Sequence, residues 1–362
     1  LYDRSPRGRD VMIKREYISS VLLIVSILIL MLIVSTILIL VSGYKPLVAF
    51  GGLLEYSFGD FNAFSNVLNR AMSLILAGLA VSVAFKAGFY NLGVEGQIFL
   101  GAMAAAIIGY KITVLPSVLH IPLLFAAGLA AGAAGALIPG LLKTRFNVDE
   151  VITTIMLNSI YVLFTGYLAT YPFRDPERWS GTTPPVSEAA QLPMLSSLSS
   201  LSSGILISIG IAVLLYFIFK RADIGFKWKM TGLNPVFSRY GGIRVANVQL
   251  NAAVISGALA GLTGALLVSG TQHRFWMEIG TNIGWDGVLI GMLALYNPLA
   301  VVASGFVFAV LKTGAVGMEI NSQVPSELIN ITLAILILVV TGRWVISSWI
   351  NRYVKPREKK RI

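Results

Sequence analysis

The sequence predicts an all-α, polytopic membrane protein, and three observations predict it. Apolar residues make up 56% of the 362-residue chain and charged residues only 12%, about half the charged share of a soluble domain. The apolar residues fall in runs near the ~20 that a helix needs to cross a bilayer. The Lys and Arg between those runs are divided unequally between alternate connections, as they are when one side faces the cytoplasm.

About ten transmembrane helices account for the runs, some of them broken or re-entrant. The first, 17–42, carries "YISSVLLIVSILILMLIVSTILILVSGY". That run exceeds the apolar core of a signal peptide and is read as a retained span. The others are 66–85, 91–110, 119–141, 150–171, 204–219, 248–270, 283–296, 298–316 and 326–346. Gly, Asn or Pro interrupts the third, eighth and ninth, or their starts. "LYNPLA" (295–300) leaves room for only a very tight turn, which makes 283–296 a candidate re-entrant segment. The small residues of "AAGLAAGAAGALIPG" (126–140) predict close helix packing.

With a cytoplasmic N-terminus, segments 1–16, 86, 143–145, 220–244 and 343–361 hold 21 of the 28 Lys and Arg. The other side holds Lys45, Arg70, Lys111, Arg174, Arg178, Arg274 and Lys312. This asymmetry places both termini in the cytoplasm. It also makes the net charge of +11 a topology signal, with no nucleic acid required. Basic tails, 1–16 and 347–362, flank one transmembrane domain, 17–346, in the cell membrane. Its outer loop 172–203 is rich in Pro and Ser and is expected to be an irregular surface segment. Its inner loop 220–247 is basic, yet carries Phe226, Trp228, Met230, Val236, Phe237 and Tyr240, more apolar side chains than solvation requires. Gly232, Asn234 and Pro235 signal a turn. A short helix is expected over Val236–Tyr240, ended by Gly241 or Gly242.

Several chemistries are missing. Lys143-Thr144 and Lys312-Thr313 are preceded by leucine, so neither closes a phosphate loop. Neither a zinc-protease helix nor a serine-hydrolase elbow occurs. There is no cysteine, and His120 and His273 are far apart in sequence. No catalytic residue, metal or cofactor is expected, and ATP hydrolysis would have to come from another chain.

The polar residues inside the apolar runs carry what chemistry there is. In "AGFYNLGVEGQIFLGA" (87–102), Glu95 and Gln97 sit among glycines that permit a broken helix. An ionisable residue there costs roughly 2.5–3.5 kcal/mol on insertion scales. Either Glu95 and Gln97 bond neighbouring helices, or this segment, with Phe89, Tyr90 and Asn91, borders a transport route. In "TNIGWDGVLIGM" (281–292), Asp286 follows Trp285 at the start of an apolar run. It either serves the positive end of that helix or lines the route. Asn158, alone in "MLNSIY" (156–161), is an interhelical hydrogen-bonding residue or a ligand.

These segments resemble permease subunits of ABC importers, in the nucleoside and simple-sugar branch. The resemblance runs through "AGFYNLGVEGQIFLGA", "NVDEVITTIMLN" (147–158), "MTGLNPVFSRYGGIRVANVQLNAAVISGALAGLTGALL" (230–267), "GWDGVLIGMLALYNPLAVVASGFVFAVLKTGA" (284–315) and "VPSELINI" (324–331). It covers about 66–340. The chain departs from the family's pattern at Leu295 and Tyr296, where an arginine is common, and at "HRFWMEIGTN" (273–282), which stands for a glycine-rich stretch. The resemblance implies a pathway shared with a second permease subunit, identical or homologous. It implies ATP-binding cassette ATPase subunits docked on 220–247 through Gly232, Asn234, Pro235, Arg239, Tyr240, Gly241 and Gly242. It implies an extracellular substrate-binding lipoprotein that delivers a nucleoside. Phe89, Tyr90, Asn91, Glu95, Gln97, Asn158, Trp285 and Asp286 become the expected substrate pathway. A permease for a simple sugar such as ribose is the alternative on the same scaffold. An ion-coupled secondary transporter is the alternative of a different class.

Overall fold

The computed structural model describes residues 33–178, 181–196, 199–325, 327–328 and 330–331. The expected tails 1–16 and 347–362, most of the first span and most of the tenth lie outside the described residues. By its contacts the chain forms two compact units, one of Ser57–Thr313 and one of Leu1–Tyr56 with Gly314–Ile362.

The described helices are α1 over 33–41, α2 Pro46–Phe58, α3 Phe61–Lys86, α4 Val94–Lys111, α5 Ser117–Phe146, α6 Glu150–Thr170, α7 Gly204–Arg221, α8 Asp223–Leu233, α9 Pro235–Tyr240, α10 Val245–Leu267, α11 Ile283–Leu293 and α12 Pro298–Ser322. Among the described residues there is no strand beyond isolated bridges. Among the described residues six helices are long and apolar enough to cross a membrane: α3, α5, α6, α7, α12, and α10 with its π-helical extension to Gln272. Of the other four expected crossings, most of the first and most of the tenth lie outside the described residues, and two fall short for a physical reason. The helix α4 has 18 residues, but Glu95, Gln97 and Lys111 dilute its apolar character. The helix α11 has 11 residues, about 16 Å, half a bilayer core. Helix α2, inside a stretch expected to be an outer connection, was not foreseen.

In the Ser57–Thr313 unit, α3 and α10 are the buried helices, and α5, α6 and α7 turn much of their surface outward. The helix α10 packs on α5, α4 and α3. Its small residues explain this: Gly257 and Gly261 lie against Gly128 and Gly132 of α5, and Gly261 also faces Gly101 of α4. Backbones can approach this closely only without side chains between them. The expected close packing of 126–140 is therefore present. The turn after α5 is equally legible. Asn147 adopts a left-handed conformation (φ 54°) and ends α5. Asp149 then caps α6 by accepting from the amides of Val151 and Ile152, and Lys143 Nζ lies 2.7 Å from Glu150 Oε2.

The segment 172–203 is irregular, as expected, but it is not simply a surface loop. Thr183, Val186, Ala190 and Ser202 are buried. Thr183 donates its amide to the Phe275 carbonyl, Val186 to that of His273, and Leu192 to that of Ser269. Asp175 pairs with Arg274 at 3.5 Å. Low apolar content misled the sequence reading here, because backbone groups and one ion pair do the holding.

The segment 220–247 is mostly helical. Asn234 Oδ1 accepts from the Phe237 amide at 2.9 Å, and Pro235 occupies the first turn, a position that suits its missing N–H. Helix α9 ends at Tyr240, with Gly241 as its C-cap and Gly242 at φ 80°. The short helix and its glycine stop match the expectation.

In the other unit, Gly52 of α2 lies against Gly317 of α12. Asn321 Nδ2 donates to Glu55 Oε2 at 3.1 Å.

Candidate functional site

Two helices begin inside the Ser57–Thr313 unit rather than at an end of it. After α3 the chain returns along 87–93 before α4 starts, and Gly96 in the first turn of α4 meets Asn158, near the middle of α6. The helix α11 starts beside the middle of α3: Gly287 rests on Ala77, and Gly291 on Val81 and Ser82. It ends near the close of α3, where Tyr296 and Phe85 are 5.7 Å apart. The third and eighth predicted spans are thus each one continuous helix, Val94–Lys111 and Ile283–Leu293, that starts beside the middle of a neighbouring helix. Their N-terminal ends meet, since a side chain at Gly284 would collide with Glu95.

Glu95 occupies that junction. The amides of Asn282, Gly284 and Trp285, at the start of α11, face its carboxyl group, while its Oε2 is buried without a hydrogen-bond partner. Each helix N-terminus carries roughly half a positive charge, so one carboxylate is matched by two converging ends. This is a physical reason for an acid at that position. Asp286 does not cap α11 with its side chain. It pairs with Lys312 of α12 at 3.1 Å. Lys312 was expected at an outer edge, whereas α12 runs on ten residues beyond it to Ser322.

The three amides nearby bond to one another and to their surroundings. Asn91 Nδ2 donates to Gln97 Oε1 at 2.9 Å and to Ser256 Oγ at 3.0 Å. Gln97 Nε2 donates back to Asn91 Oδ1 at 3.2 Å. The Gly96 amide donates to Asn158 Oδ1, and the Leu92 amide to Thr154 Oγ1. Asn91, Gln97 and Asn158 are all buried, so their amide groups join α4, α6 and α10 across the break.

The aromatic candidates divide. Phe89 is fully buried, whereas Tyr90 is 48% and Trp285 40% exposed. Tyr90 stacks edge-on against Phe85 at 5.1 Å. Glu95, Gln97, Asn158, Asn91, Trp285 and Asp286 therefore come to one region, and Phe89 lies in the core behind it. Sequence reasoning missed Lys312, Ser256 and Thr154. A lysine late in an apolar run was the available signal for the first, while a serine or threonine in a helix carries none. Among the described residues, no three metal-ligating side chains converge.

The ATPase-docking candidates fall near the end of α8 (Gly232), between the two helices (Asn234), on α9 (Pro235, Arg239, Tyr240) and just after it (Gly241, Gly242). Phe226, Leu233, Val236, Phe237 and Tyr240 are exposed there, an apolar patch on a basic segment.

A sequence profile described as branched-chain amino acid transport system / permease component matches residues 63–341. The guanosine ABC transporter permease protein NupP of Bacillus subtilis is 35% identical over 97% of this chain and 99% of its own length. The nucleoside ABC transporter permease protein NupB of Lactococcus lactis is 31% identical over 86% of this chain and 88% of its own. The glucose ABC transporter permease protein TsgB13 of Haloferax volcanii is 31% identical over 85% and 82%. No solved structure matches. A profile match across most of the chain, six apolar helices and relatives aligned nearly end to end lead to one conclusion: this multi-pass membrane protein belongs to the branched-chain amino acid transport system / permease component family.

Proposed function

We propose that this chain is the membrane-spanning permease subunit of an ATP-driven importer of nucleosides. The observation that carries the substrate class is the near full-length similarity to a guanosine permease, joined by a second nucleoside permease. In this reading cargo arrives from an extracellular binding lipoprotein. It passes between this chain and a second permease subunit and leaves in the cytoplasm, where both termini lie. Energy comes from separate ATPase subunits, because the chain has no phosphate loop. The exposed apolar patch of α8 and α9 is their docking surface.

The residues expected along the pathway suit a neutral, partly aromatic cargo. Trp285 offers an exposed ring at the junction that holds Glu95, and Tyr90 offers another beside Phe85. Among the described residues no arginine cluster accompanies them, and Lys312 is paired with Asp286, so a phosphate would have to compete with a carboxylate for a charge-assisted bond. A conducting route must also release what it receives, which argues against a strongly charged site.

Uptake of radiolabelled guanosine by cells expressing the whole importer tests this. Unlabelled nucleosides should compete, and nucleoside monophosphates should not. The glucose permease relative is the observation behind the sugar reading. Competition by ribose or glucose as strong as by nucleosides would transfer the assignment to sugars.

A further inference from the structure

We propose that Gln249, with Gly88 and Gly232, forms the mechanical link between the α8–α9 segment and the interior start of α4. The link rests on the reading of that segment as the ATPase dock. Its geometry is a backbone-to-backbone contact. Gly88 lies in the 87–93 return at φ 72°, a conformation that L side chains rarely adopt. A β-carbon on Gly88 would come 3.2 Å from Gly232 Cα. One on Gly232, near the end of α8, would collide with the Lys86 carbonyl and stand 3.2 Å from the Gly88 nitrogen. Gln249, in the first turns of α10, donates from Nε2 to the Gly88 carbonyl at 3.0 Å.

What lies on each side of this contact gives it its role. On one side, α8 runs directly into Asn234 and the exposed α9. On the other, four residues separate Gly88 from Gly93, the N-cap of α4. Those residues are tightly held. The Phe89 amide bonds the Ala84 carbonyl. The Asn91 side chain bonds Gln97 and Ser256, and the Leu92 amide bonds Thr154. A segment with so many fixed points moves as a body, so a shift of α8 against Lys86 and Gly88 carries to Glu95 and the start of α11. Buried polar atoms on α8 fit a helix with more than one seat. Trp228 Nε1 and Thr231 Oγ1, three residues apart and so on one face, are both buried without a hydrogen-bond partner.

The test uses the importer purified with its ATPase and reconstituted in proteoliposomes, with guanosine as the probe. Three variants are compared with the parent: Gln249→Leu, which keeps size and removes the donor; Gly232→Ala; and Gly210→Ala, a control whose added methyl meets nothing within 4 Å. The readout is guanosine transported per ATP hydrolysed, which a merely structural defect would not change in the complexes that assemble. Gln249→Leu should keep the ATPase bound and hydrolysing while the ratio falls at least about fivefold, the low end of ordinary allosteric coupling; in Gly232→Ala, where the added methyl meets the Lys86 carbonyl, the ratio should fall in the complexes that assemble. Gly210→Ala should match the parent. Should Gly232→Ala fail to assemble, Gln249→Leu decides. A wild-type preparation without any ATPase would overturn the docking reading, and the link with it. An intact complex whose ratio is unchanged in Gln249→Leu would overturn the link alone.

Discussion

Glu95 shows at the scale of one residue what a lone carboxylate in an apolar run can do. Its charge is opposed by two helix ends rather than by a lysine, and the amides it faces need an acceptor more than they need a full charge. Glu95→Gln should therefore retain most guanosine uptake. Glu95→Leu, which strands those amides at a cost of about 1–3 kcal/mol each if they stay buried, should abolish it while the protein still reaches the membrane. Unimpaired uptake by the leucine variant would show that the junction does not need the residue. Asp286 and Lys312 behave differently, because here the partner is a charge. Removing one member of a buried pair costs about 3–5 kcal/mol. Asp286→Asn should lower the midpoint of thermal unfolding in detergent, and Asp286→Asn with Lys312→Met should recover part of the loss. Full additivity of the two single effects would show that the pair is not coupled. The acids were legible from the sequence, since each is costly in an apolar run. Their partners were not: the amides facing Glu95 belong to a backbone, and Lys312 lies 26 positions from Asp286 with no local pattern linking them.

At the scale of the element, breaks proved easier to read than ends. Glycine and asparagine marked the interrupted starts of α4 and α11. The Asn-Pro of "LYNPLA" (295–300) marked a turn made by Leu295 at φ 51° and Tyr296 at φ 60°, with Asn297 Oδ1 accepting from the Leu299 amide. What could not be read was how far α11 falls short of a crossing, because an apolar run of 11 residues looks the same at any depth. Segment 172–203 was misjudged for the opposite reason: its polar sequence hid backbone pairing. The α8–α9 segment was the most legible, through its cap, proline and glycine stop. Replacing Asn234, which caps α9, by alanine should destabilise that short helix by about 1 kcal/mol. Combined with changes at Arg239 and Gly242, it should reduce substrate-stimulated ATP hydrolysis without affecting membrane insertion. Full stimulation in the triple variant would remove α9 from the energy-coupling surface.

For the whole molecule, the fold class followed from composition and charge, and the family followed from motifs spaced along most of the chain. Orientation rests on the 21-to-7 division of basic residues and is open to a direct check. The chain has no cysteine, so a single one can be placed at will. A cysteine at Tyr240, which is 89% exposed, should react with a membrane-impermeant maleimide only after cells are opened, and one at Arg178 should react in intact cells. The reverse result would invert the topology. The short α11 also constrains how the protein enters the bilayer. A segment of 11 residues carrying an aspartate is too short and too polar to be retained by itself, on the terms that govern insertion. Joined through a tight turn to α12, which brings Lys312, it can be inserted as a hairpin whose opposite charges neutralise each other during passage. On these terms synthesis has to run past Lys312 before α11 can settle, so that α11 enters together with α12 rather than ahead of it.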